Sequence, residues 1–235
     1  MRTLIFNATK AAAKIKGHLM HAVRIFKETA EVADRLAPFG VTAEEFYSVI
    51  EAVVAARNDV VAADARTAGG SKAYFAGVRH TRFLFLPKGW DMDSTNGVES
   101  VVHRESGISI VYQSVDQACV GIRGPQAISG KGPASEAVIK EAQGGLFKDA
   151  ELPEVAPEKI AELNRSVWFL CVSVNDQDPD DVRAELSLPA SIDGGNFKGF
   201  LERIFVVRSG DWKSRGPVAK RPDDGDPYEF SIARK

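Results

Sequence analysis

Two periodicities divide the chain. Over the first third, apolar positions recur at steps of three and four; from about residue 73 the period drops to two. Ile15, Leu19, Val23, Phe26, Ala30 and Ala33 line one face of a first helix, with Lys10, Lys14, Lys16, Arg24 and Lys27 at other positions. Pro38 and Gly40 break it. Thr42 followed by Glu45 has the S/T-x-x-E form of a capping box, which predicts a second helix starting there. Phe46, Val49, Ile50, Val53, Val54, Val60 and Val61 give that helix a wide apolar stripe, and Gly69-Gly70 is expected to end it. A short connection between two long amphipathic helices predicts an antiparallel helical hairpin.

The second pattern predicts strands. RFLFL (82–86), ISIVYQ (108–113), QACVGIR (117–123), VWFLCVSV (167–174), VRAELSL (182–188), ERIFVVR (202–208) and YEFSIAR (228–234) are β-branched and aromatic runs bounded by Gly, Pro, Asn or Asp. Val182, Ala184, Leu186 and Leu188 alternate strictly, as in a sheet with one wet face. A doubly wound parallel sheet needs a helix between strand pairs, and only residues 124–166 leave room for one. The expected fold is therefore α+β: an N-terminal antiparallel helical hairpin (1–70) packed on a mainly antiparallel β-sheet. The β-rich part runs over 71–235, with a helical insertion at about 133–165.

Composition narrows the class. The 235 residues are 44% hydrophobic and 26% charged, which excludes collagen-like, mucin-like and disordered chains. Two cysteines, Cys119 and Cys171, exclude a disulfide framework and a cysteine-based zinc site. No run is long and apolar enough for a membrane span, and LIF near the start is followed at once by Asn7, Thr9 and Lys10, so a cytoplasmic protein without membrane contact is expected.

The formal charge of -2 hides segregation. Residues 1–27 hold six cations and no acid, whereas 28–66 hold eight acids and three arginines. A second basic stretch carries Arg208, Lys213, Arg215, Lys220 and Arg221 beside Trp212. Together with Lys10, Lys14 and Lys16, these residues are candidates for a nucleic-acid contact, with Trp212 available for base stacking. The competing reading is structural: a basic first helix attracted to an acidic second one.

Catalytic signals are short. WDMDSTNG (90–97) resembles the DxDxT loop of haloacid-dehalogenase-like phosphatases. The resemblance implies Asp91 as nucleophile, Asp93 as general acid, Ser114 and Asp176 as later members of the site, and Mg²⁺ as cofactor. Pro87-Lys88-Gly89 departs from that family, in which an apolar strand runs straight into the first aspartate. DQACVG (116–121) resembles the QACxG segment of caspases at Cys119, with Val120 in place of the usual Arg, Gln or Gly and no histidine at the expected interval. NDQDPDD (175–181) opens with EF-hand spacing but has Asp181 and Ser187 where Gly and Glu are required. No metal-ligand spacing is complete.

These fragments favour a non-catalytic binding or assembly component, acting through protein–protein and optionally nucleic-acid contacts, with no cofactor. Self-association fits the same reading, as does a home in a phage, plasmid or bacterial defence system. The alternative is an Mg²⁺-dependent phosphohydrolase centred on Asp91 and Asp93.

Overall fold

The computed structural model describes residues 23–128, 166–193 and 195–214. Its frame is a mixed sheet of seven strands in the order β1-β9-β6-β5-β4-β3-β2. These are β1 (Arg24–Phe26), β2 (Asp91–Asp93), β3 (Ser100–His103), β4 (Ile108–Ser114), β5 (Val167–Val174), β6 (Val182–Pro189) and β9 (Phe200–Val207). A small hairpin of β7 (Ile192–Asp193) and β8 (Asn196–Phe197) precedes β9. Antiparallel pairings predominate, and the β4–β5 and β1–β9 pairs are parallel. The fold is α+β, as the change of period predicts. No helix among the described residues is long and apolar enough to cross a membrane.

Three helices cover one face: α1 (Thr29–Leu36), α2 (Ala43–Asn58) and α3 (Ala68–Phe85). The capping box at the start of α2 is complete. Thr42 Oγ1 accepts from the Glu45 backbone N–H, and the Glu45 carboxylate accepts from Thr42 N–H at 2.9 Å. The helical hairpin is made by α2 and α3. Arg57, near the end of α2, lies beside Gly69 in the first turn of α3, and Phe46 meets Phe85 at the other end. Under these helices sit Val182, Ala184, Leu186 and Leu188, the alternating series of β6, with Ile110, Trp168, Leu170 and Ile204.

Several sequence expectations are corrected. The first predicted helix gives way to β1 at Arg24–Phe26, and α1 starts only at Thr29. Arg24 and Arg35 both bind the buried Glu202 carboxylate, which ties β1 and α1 to β9. Gly69-Gly70 opens a helix rather than ending one. RFLFL (82–86), predicted as a strand, forms the end of α3 and the turn after it, where Gly89 takes the left-handed conformation at φ 84°. QACVGIR (117–123) is a loop, because Cys119 turns the chain at φ 56°. Over β5, β6 and β9 the other sheet face is dry as well. Residues 115–128 and the β7–β8 hairpin cover it, burying Val111, Phe169, Cys171, Phe197 and Phe200 together with Glu185, Ser187 and Arg203. The predicted helical insertion and the YEFSIAR strand (228–234) lie outside the described residues.

Candidate protein-docking face

Helix α3 is inside out for a surface helix. Its sheet-facing stripe, Ala73, Gly77, Thr81 and Phe85, consists mostly of small residues at steps of four. Gly77 has no Cβ, so the helix can lie directly on the Tyr112 ring. The large side chains stand on the opposite side. Phe75 and Phe83 are 63% and 50% exposed, and Arg79 lies one turn from each. Tyr74 borders the stripe, its ring centroid 5.9 Å from that of Phe75. The His80 ring meets Phe83 edge-on at 5.5 Å. Burial, and then the Arg79 charge, lower the His80 pKa, so this ring is neutral at pH 7. Met92 on edge strand β2 is also exposed, on the helix side of the sheet, in register with Val101.

The charges on this helix are one-sided. α3 carries Lys72, Arg79 and Arg82 and no acid. Lys72 is met by Asp59 and Asp64 at 3.4 and 3.6 Å, and Arg82 by Glu99 and Ser94. Arg79 has no acidic partner among the described residues. Two exposed aromatic rings about 12 Å apart along the helix, with an unmatched guanidinium between them, have the make-up of an interface core: aromatic and Arg rather than Lys or Glu.

The sequence candidates do not assemble. Asp91 and Asp93 occupy β2 at the sheet edge and point away from the helices, in register with Ser109 and Val111 through β3. Asp91 is bound to Arg104 at 2.5 Å, and Asp93 accepts from Thr95 Oγ1 at 2.9 Å. Ser114 shares its side of the sheet with Tyr112 and Val172, so it faces the helices. Asp176 lies two residues past β5 and is paired with Arg57 of α2. Asp91 is level with Val167 at the opposite end of β5, which sets Asp176 about 23 Å away along the strands alone. No group of three His, Cys, Asp or Glu among the described residues is placed to hold a metal ion.

Cys119 is half-buried in a fixed network. Its sulfur lies 3.2 Å from Ala184 O and 3.3 Å from Val207 O, beside an irregularity in the β6–β9 pairing. Its N–H donates to Glu185 Oε2. Burial, and then the Glu185 carboxylate, push the thiol well above its ordinary pKa, which is the reverse of activation. His103 packs on Trp90 on the other side of the sheet. Arg203 holds Glu185 with two bonds of 2.7 Å and donates to Val120 O and Arg123 O, so the buried pair clamps the loop. The side chains of Glu185 and Arg203 are 0% and 1% exposed.

The proposed nucleic-acid residues fare differently from one another. Lys10, Lys14, Lys16, Arg215, Lys220 and Arg221 lie outside the described residues, as does the Lys213 side chain. Trp212, in the single helical turn α4 (Asp211–Ser214), stacks on Tyr47 of α2 at 4.8 Å between centroids. Arg208 is occupied by Asp211 at 3.1 Å and by Lys27 O. Beside it, Lys27, Val32, Val41 and Phe205 line an open groove of about 410 Å³.

No known protein family matches the chain, and no significant similarity was found to curated proteins or to solved structures. The sequence pattern hid the α3 face because Gly69-Gly70 reads as the end of a helix and RFLFL (82–86) as a strand. The step-four series 75-79-83, set against 73-77-81-85, was the available signal.

Proposed function

We propose that this chain is a non-catalytic binding or assembly component that works through a protein–protein contact. The observation that supports the reading is the outer stripe of α3, where Phe75 and Phe83 stand in solvent on either side of Arg79 while most other aromatic side chains among the described residues are packed. Exposing two phenylalanines on one rigid helix is costly for a monomer and useful for docking. The separation of Asp91, Ser114 and Asp176 gives no support to phosphoryl transfer. Two measurements test the proposal. The native protein should bind a hydrophobic dye such as bis-ANS, and Phe75→Ser with Phe83→Ser should abolish that binding. Mg²⁺-dependent turnover of p-nitrophenyl phosphate that vanishes in Asp91→Asn would overturn it.

A further inference from the structure

The face of α3 leaves its occupant open, and charge decides it. We infer that this face docks an acidic amphipathic helix of a different protein, which sets two apolar side chains on Phe75 and Phe83 and a carboxylate between them on Arg79. This deepens the binding role proposed above and rests on it.

Three observations narrow the occupant. A symmetric pair of antiparallel α3 helices would exchange Phe75 for Phe83, and the two-fold axis would then pass residue 79. Two unmatched guanidinium groups would face each other there, and like charges opposed at an interface disfavour the pairing. The chain's own first 22 residues hold four cations and no acid, so they offer Arg79 no carboxylate. Nucleic acid is opposed by the neighbours. Lys72 and Arg82 are already neutralised within the chain, and Asp59, Asp64 and Glu99 beside them would repel a phosphate backbone. An acidic helix satisfies what remains. Its apolar residues, two turns apart, match the spacing of the phenylalanines, and one carboxylate gives Arg79 the paired geometry a planar guanidinium favours.

The test uses the full chain and two fluorescein-labelled helical peptides, Leu-x-x-x-Glu-x-x-x-Leu and the same peptide with Lys for Glu. Fluorescence anisotropy should show saturable binding of the Glu peptide and several-fold weaker binding of the Lys peptide. Arg79→Glu should reverse that preference. Phe75→Ser with Phe83→Ser should abolish both, with an unchanged urea midpoint showing that the fold is intact. Absence of binding by the Glu peptide, or equal binding of the two, overturns the inference. So does a dimer, seen by sedimentation, that the double serine variant abolishes; that result keeps the face as an interface but makes its occupant a second copy. Binding of oligothymidylate that Arg79→Ala abolishes would also overturn it, in favour of nucleic acid.

Discussion

Gly77 of α3 rests on the face of Tyr112 of β4, so closely that a single methyl group on Gly77 would overlap the ring. This contact sets the distance between the helical layer and the sheet. Gly77→Ala gains about 1 kcal/mol of helix propensity, but overpacking against a buried ring costs roughly 1–3 kcal/mol. The variant should therefore have a lower urea midpoint than the parent. Adding Tyr112→Val should recover part of the loss, and the coupling in that double-mutant cycle identifies the contact as the cause.

Tyr112 also gives the protein an alkaline limit. Burial pushes its phenol up to about 12, although Ser114 Oγ lies within hydrogen-bonding distance at 3.3 Å. The unfolded chain ionises this group near pH 10, before the folded one does. Its contribution is therefore complete below pH 10 and is lost as pH rises toward 12, a change on the order of 2–3 kcal/mol. Ultraviolet titration of the native protein should show a phenolate that appears only with unfolding, and Tyr112→Phe should remove that late step.

The Glu185–Arg203 pair is fully buried and bidentate. Removing one partner strands the other charge, so Arg203→Met should destabilise the fold by about 3–5 kcal/mol. Combining it with Glu185→Leu should restore much of that loss in denaturant titrations. Hydrogen exchange at residues 118–124 should remain fast even in the restored variant, because the bonds from Arg203 to Val120 O and Arg123 O are gone.

The Cys119 thiol should be a poor nucleophile. With its pKa raised by burial and by Glu185, it should react slowly with Ellman's reagent at pH 8, and both cysteines should titrate at once on unfolding. Rapid native labelling of Cys119 at that pH would contradict the described environment.

Trp212 anchors the single turn α4 on α2 by stacking on Tyr47. Trp90 and Trp168 are buried elsewhere. Tyr47→Ala should therefore red-shift the tryptophan emission and raise its acrylamide quenching, and Trp212→Phe should cancel both changes.

What could be read from the sequence was local. The Thr42–Glu45 cap and the alternation of Val182, Ala184, Leu186 and Leu188 are each settled by residues close in the chain, and both are present in the fold. What could not be read depends on partners far away. Arg24 forms a strand, despite lying in a helical pattern, because Glu202 and the edge of β9 are available to it. Glu185, Ser187 and Arg203 look like the wet face of a sheet until the 115–128 loop is laid over them. Aromatic RFLFL reads as a strand because α3 sets Phe83 outside and Phe85 inside, an alternation that a strand would also show. The exposed stripe of Phe75, Arg79 and Phe83 was hidden for the same reason.

Edge strand β1 gains its hydrogen-bonding neighbour from β9, and Arg24 meets Glu202 across 178 positions. During synthesis Arg24–Phe26 must therefore wait without their sheet neighbour until β9 has left the ribosome. Arg24 and Arg35 will meanwhile have no buried carboxylate to hold, so β1 joins the sheet only once β9 has been made.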